Sequence, residues 1–221
     1  MKPAQELKFN FFAQLECCKN FLSQLDLLEF YDKTPSPISS PASFFRDKSY
    51  LEEWDYIYKN NCAHIKLRDL SMFLFEYKNN ALTYRYYENP HHFITKEEFI
   101  KEFEVYDELL YEQYLSESPK QYVTPIKYDF FPKDYVPGSH PASHFHFGVD
   151  NNIRIGCSHI LQPIAFVLFI VRLVYPDIWI NYKLYNKEIV NLETYLDTLS
   201  TVFFAIEDCQ ELCLSLNKIR I

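Results

Sequence analysis

Residues 71–87 read SMFLFEYKNNALTYRYY. Two aromatic-rich runs, Ser71–Tyr77 and Ala81–Tyr87, flank the short polar turn Asn79-Asn80. Aromatic side chains suit a pleated, half-buried surface, and a two-residue polar break between such runs is the signature of a β-hairpin. The segment therefore predicts two antiparallel strands, around which the rest of the chain must be arranged.

Toward the C-terminus, Thr95 and Glu98 form a capping-box pattern, and Phe99, Phe103, Tyr106, Leu110 and Tyr114 recur at helical spacing. This predicts a helix over residues 95–117. Beyond Pro119, the runs Tyr122–Phe131, Ser143–Val149 and Ile153–Cys157 read as three further strands, the last two joined through Asp150-Asn151-Asn152. Five strands in succession indicate an α+β fold with an antiparallel sheet of about five strands. Pro163 is tolerated in a first helical turn, and Tyr195, Leu199, Val202, Ile206, Cys209, Cys213 and Leu216 keep a four-three step. Helices over residues 162–221 are therefore expected to cover the sheet.

Toward the N-terminus, Leu7, Phe11, Leu15, Cys18, Leu22 and Leu25 line one helical face, which predicts a helix from about Pro3 to Phe30. Pro35, Ser36, Pro37 and Pro41 then punctuate residues 33–48 as an extended loop, a linker or a contact arm. The expected organisation is one domain over residues 1–221, with the sheet in residues 69–157 and the 95–117 helix inserted in it. A chain of 221 residues suffices for one self-supporting core.

Composition narrows the function classes. The chain is 48% hydrophobic and 18% aromatic, which excludes a disordered or low-complexity protein. A net charge of -8 repels nucleic acid on average, so contact with a nucleic acid requires a local basic patch, and no long basic run is present. Three glycines leave no room for a P-loop or a dinucleotide fingerprint, and no Gly-x-Ser-x-Gly elbow occurs, so no nucleotide cofactor is implied. Of the six cysteines Cys17 and Cys18 are adjacent and the other four are scattered, so free, mostly buried thiols are expected, and the start of the chain has no secretory pattern, which implies a cytoplasmic location. The most apolar stretch, Ile164–Val174, is too short to span a bilayer and carries Arg172, so it reads as a core helix and no membrane role is expected.

The chemistry concentrates in His140-Pro-Ala-Ser-His144-Phe-His146-Phe-Gly148. On a strand, the period of two puts His144 and His146 on one face and Phe145 and Phe147 on the other. Two imidazoles side by side can shuttle a proton, bind a phosphate or hold a transition metal. A metal would need further ligands, from His140, His159, Asp129 or Asp134; none stands at diagnostic spacing, and hydrogen bonding on a half-buried sheet face accounts for the pair equally well. Arg154 suits phosphate or carboxylate. A two-residue turn would pair it with Phe147, across from the histidines, and a three-residue turn with Gly148, beside them; Arg154 is otherwise a surface residue or a partner of Asp129. Tyr84, Tyr86 and Tyr87 could stack bases, although aromatic strands are more often core.

The string from His140 to Gly148, followed by Arg154, Pro163–Ile170 and Tyr175-Pro176, resembles the bacterial family catalogued as domain of unknown function 2290. The resemblance implies that His144, His146, Arg154, Asp129 and its neighbour Tyr128 are the site residues, and implies no activity. A looser motif analogy leads to toxin-like ribonucleases or phosphodiesterases, in which His144, His146 and Arg154 would supply base, acid and phosphate-binding charge. From a different class, the chain reads as an accessory subunit of a bacterial multi-protein system, such as antiviral defence, holding a protein partner through its helices or the Pro-rich arm.

Overall fold

The computed structural model describes residues 10–38, 41–105, 107–117, 119–136, 139–149 and 153–185, with the pairs 200–201 and 213–214. Its elements are α1 (Phe11–Gln24), β1 (Leu28–Tyr31), α2 (Pro41–Phe44), α3 (Tyr50–Lys59), β2 (Ile65–Leu67), β3 (Met72–Lys78), β4 (Ala81–Tyr87), α4 (Lys96–Phe103), α5 (Glu108–Glu117), β5 (Ile126–Phe130), β6 (Ser143–Phe147), β7 (Ile153–Cys157), β8 (His159–Ile160), α6 (Pro163–Val174), α7 (Pro176–Tyr185), β9 (Ser200–Thr201) and β10 (Cys213–Leu214). Strands β1 to β7 lie side by side in chain order, each antiparallel to the next, and β10 adds a parallel edge beside β7. The α+β class and antiparallel sheet are as expected. The number of strands is larger than five among the described residues, because β1 and β2 are too short to show an alternating pattern.

The 71–87 segment is the β3–β4 hairpin, in register from Met72↔Tyr87 to Lys78↔Ala81. Asn79 and Asn80 both take positive φ, 53° and 62°, as a type I′ turn requires. The pleat sends Phe73, Phe75, Leu82, Tyr84, Tyr86, Ile126, Tyr128, Phe130 and Phe145 to one face, against α1 and α6. Helix α6 is apolar nearly all round and is mostly buried there. The Phe166 ring centroid lies 5.7–6.4 Å from those of Phe73, Phe75, Tyr84 and Phe145. Pro176, which disfavours helical geometry at Tyr175, separates α6 from α7, and the two helices meet at 110°. Among the described residues no single helix is long and apolar enough to cross a membrane.

The N-terminal reading needs correction. Helix α1 stops at Gln24 rather than Phe30: Asp26 adopts φ 58°, its amide donates to Ser23 O, and the Leu27 amide donates to Leu22 O. These two bonds make a Schellman end, with aspartate where glycine or asparagine is usual, and they turn Leu28–Tyr31 into a strand. Residues 3–9 of the expected helix lie outside the described residues.

The Pro-rich segment is also more than a loose arm. The Ser36 amide bonds Asn61 O at 3.1 Å, and α2 and α3 follow. Phe45, Trp54 and Ile57 form a second apolar cluster with Met72, Leu74 and Tyr87, over the other face of the β3 end. The predicted 95–117 helix is two. Thr95 and Glu98 do form a reciprocal capping box, but Glu104 takes a left-handed φ of 56°, and Asp107 restarts the chain by accepting from the Leu109 and Leu110 amides. Tyr106 lies outside the described residues. Of the C-terminal four-three positions only Cys213 is described, and it sits in a strand rather than a helix, as do Ser200–Thr201. Cys17, Cys18, Cys62 and Cys157 are free thiols.

Candidate functional site

The face of the sheet opposite α6 carries the polar alternates of the same strands. Register decides what meets there. Arg85 on β4 pairs with Lys127 on β5, Lys127 with His146 on β6, and His146 with Arg154 on β7. One step along the strands, Thr83 pairs with Asp129, Asp129 with His144, and His144 with Gly156. Directly opposed residues in an antiparallel pair share a face. The result is a four-strand row of basic groups, Arg85–Lys127–His146–Arg154, beside a row holding the carboxylate and the second histidine.

The first row is the more accessible. Arg154 is exposed, and the side chains of Lys127 and Arg85 retain 29% and 15% exposure, whereas that of His146 retains only 8%. Asp129 and His144, in the adjacent row, are buried, as is His146. Buried polar groups must be hydrogen-bonded, and these are. Thr83 Oγ1 donates to Asp129 Oδ1 at 2.9 Å; Asp129 Oδ2 accepts from Lys127 Nζ at 2.8 Å and lies 3.4 Å from His146 Nε2. Burial by itself pushes the Asp129 carboxyl pKa up, but His146, the Lys127 ammonium and the Thr83 hydroxyl outweigh it and hold the value down at about 2. Asp129 is therefore a carboxylate throughout the neutral range.

His144 Nδ1 lies 2.8 Å from the Pro141 carbonyl, an oxygen that can only accept, so Nδ1 carries the proton and Nε2 the lone pair. Burial and the neighbouring His146 lower its pKa to about 4, so the ring is neutral at physiological pH. The His144 and His146 rings meet edge to face at a centroid separation of 4.8 Å.

The structure thus brings together four of the residues read from the sequence, His144, His146, Asp129 and Arg154. Residues 148–152 connect β6 to β7, a longer connection than either turn weighed above, and the pair His146↔Arg154 gives the same face as the longer of the two. Asp129 is paired with Lys127 and His146 rather than with Arg154.

Tyr128 does not belong to the site. Alternation sends it into the opposite core, where its hydroxyl lies 2.9 Å from Ser143 Oγ and accepts from the Leu161 amide at 3.0 Å. His140 packs its ring edge against His144, with centroids 5.0 Å apart, but the ligand-type atoms that converge within 4.8 Å are those of Asp129, His144 and His146. His159, on β8, bonds its preceding neighbour Ser158. Asp134 lies in an exposed 3-10 turn. Tyr84 and Tyr86 are core residues, and Tyr87 Oη is bonded to Glu53 Oε1, so this strand is no stacking platform.

Sequence reading missed Thr83, Arg85 and Lys127. Lys127 stands two positions before Asp129 on the same strand, so the period of two already placed them on one face. The pairing of Arg85 with Lys127 had no local signal.

Such a set can hold and move a proton at His146, neutralise an anion along the basic row, or ligate a metal through His144 Nε2, His146 and Asp129. The Lys127 ammonium on Asp129 Oδ2 competes with the last of these. A comparison with known families finds one whose model, DUF2290, described as an uncharacterized conserved protein, matches residues 31–207. No curated protein matches, and no solved structure matches.

Proposed function

This chain belongs to the DUF2290 family of uncharacterized conserved proteins, and from that premise we propose that it is a metal-independent phosphodiesterase of ribonuclease type. The observation that carries the reading is the register that lines up Arg85, Lys127, His146 and Arg154 in one row beside the buried Asp129 and His144. Asp129 Oδ2, 3.4 Å from His146 Nε2, holds the imidazole in place. His146 takes the 2′-hydroxyl proton of RNA as that oxygen attacks phosphorus. The P–O5′ bond breaks, and Lys127, the cation next to His146 in the register, is the donor we assign to the departing oxygen. Arg154 and Arg85 offset the charge gathering on the phosphoryl oxygens. Neutral His144 packs its ring against His146 from the adjacent row.

The test is cleavage of a fluorescent single-stranded RNA, with the cyclic-phosphate product identified by mass spectrometry. His146→Ala and Asp129→Asn should each lower the rate about 10²–10⁴-fold, the range for loss of proton-transfer catalysis. An all-deoxy strand, lacking the attacking hydroxyl, should be inert. Wild-type protein that leaves RNA intact overturns the proposal.

A metal-assisted hydrolase is the second reading, favoured by the convergence of three ligand atoms within 4.8 Å and by the pinned tautomer of His144. Metal analysis of protein purified without chelator separates the two, because chelation should leave the metal-independent rate unchanged. An accessory role in a multi-protein system is the third. It draws on the exposed apolar side chains Phe103, Val105, Leu109 and Leu110 around α4 and α5. It is favoured if substitutions there abolish activity in cells while His144→Ala with His146→Ala does not.

A further inference from the structure

A cleft of about 500 Å³ opens between the α2–α3 segment, strands β4 and β5 and the residues that follow β6, on the same side of the sheet as the candidate site. Its walls carry Arg46, Lys48, Arg85 and Lys127 against a single carboxylate, Glu53. Glu53 is already engaged, accepting from Tyr87 Oη and lying 3.7 Å from the Arg85 guanidinium. In a chain of net charge -8 this concentration of cations is a local reversal of sign. Arg46 and Lys48 are exposed, and among the described residues neither has a carboxylate within salt-bridge distance; Lys48 lies 5.4 Å from the Phe44 ring centroid, and its charge also acts on Glu52.

The cleft is continuous with the basic row. Lys127 belongs to both: it lines the cleft, and it stands beside His146 in the sheet. Gly148 and Val149, which follow β6 directly, form part of the same wall. The row itself crosses four strands, about 14 Å at three interstrand spacings, so row and cleft together outsize a single phosphate. A run of cations around a concave surface, rather than one enclosed anion pocket, matches a polyanion whose charges repeat along a flexible backbone. A positively charged groove that follows a flexible backbone is a recognition mode of single strands.

We infer that this cleft is the binding track for the nucleotides of a single-stranded RNA that flank the bond held at His146, with Arg46 and Lys48 as its outer phosphate contacts. The inference rests on the reading of the face as a phosphodiester site, and binding can be measured apart from cleavage. Because Arg46 and Lys48 touch neither His146 nor Asp129, they act on affinity for a long substrate and not on the reacting bond.

The experiment is fluorescence anisotropy with a labelled 2′-O-methyl octanucleotide, which binds and cannot be cleaved, on the wild-type chain and on the double variant Arg46→Glu, Lys48→Glu. Loss of two phosphate contacts should weaken binding at low salt at least tenfold. It should also flatten the plot of log affinity against log salt by about 1.4, at about 0.7 per contact for single strands. Cleavage of a dinucleotide, which reaches only the His146 end, should be unchanged in the same variant. Both side chains are exposed, so an unchanged melting temperature is the control for folding. Equal octanucleotide affinity and equal salt slope in the two proteins would overturn the inference. So would a loss equally large for a nucleoside monophosphate, since that would make the cleft a pocket for one terminal phosphate. If the wild-type chain cleaves nothing yet the octanucleotide results hold, the track stands and the catalytic reading falls.

Discussion

Replacing Asp129 by asparagine is expected to cost the fold about 2 kcal/mol at pH 7 in protein freed of metal by chelation. The figure follows from the carboxyl group itself. Its pKa falls from 3.8 to about 2 on folding, and each pKa unit corresponds to about 1.4 kcal/mol of differential interaction. The side chain is only 5% exposed, so solvent screening does little to reduce this. Because the folded value is the lower one, the contribution is complete above about pH 4 and disappears as the pH falls toward 2. Asparagine keeps the shape and an acceptor for Thr83, and loses the charge that holds Lys127 and His146. Urea unfolding followed by tryptophan fluorescence reads the effect. With a slope of about 2 kcal/mol per molar, the midpoint of the variant should lie about 1 M below that of the wild type at pH 7. The gap should narrow steadily below pH 4. Equal midpoints at pH 7, or a gap of constant size down to pH 2.5, would refute the picture of a buried carboxylate stabilised by its basic neighbours.

His64 should make the wild-type chain acid-sensitive in a different window. Its Nδ1 accepts from the Phe75 amide at 3.3 Å, and burial lowers its pKa from 6.5 to about 4, so stability is complete above 6.5 and drops as the pH falls toward 4. About 2 kcal/mol should be gone at pH 5 relative to pH 8; His64→Asn, whose Oδ1 can accept in place of Nδ1, should flatten that part of a urea-midpoint titration, and an unchanged slope would count against it. Asn80→Ala forces a Cβ-bearing residue without a polar side chain to keep φ near 62°, and should destabilise the chain by about 1 kcal/mol, read as a lower melting temperature, whereas Asn80→Gly should cost less. Phe166→Ala removes the ring at the centre of the α6 contact with the sheet and should cost about 3–5 kcal/mol in denaturant unfolding. A cost below 1 kcal/mol would mean that α6 is not the seat of the core.

The amino-acid sequence by itself determined what depends on near neighbours. The 71–87 hairpin, the capping box at Thr95, the entry of α6 at Pro163 and the opposite faces of His144 and Phe145 all follow from backbone sterics, side-chain periodicity and hydrogen bonds spanning a few residues. The family resemblance rested on the same local string. Tertiary structure decided the rest, and where it overruled sequence reading the reason is physical in each case. Helix α1 could have continued through Phe30 on its periodicity, but Leu28–Tyr31 gains a partner strand in β2 once Asp26 turns the chain. Tyr128 and Asp129 are neighbours in sequence and belong to opposite faces, one to the core and the other to the site. The row Arg85–Lys127–His146–Arg154 draws one residue from each of four strands, so no stretch of the sequence is basic and the patch exists only through register. Register is fixed by burying Tyr84, Tyr128 and Phe145 together under α6, a condition imposed by residues far apart in the chain.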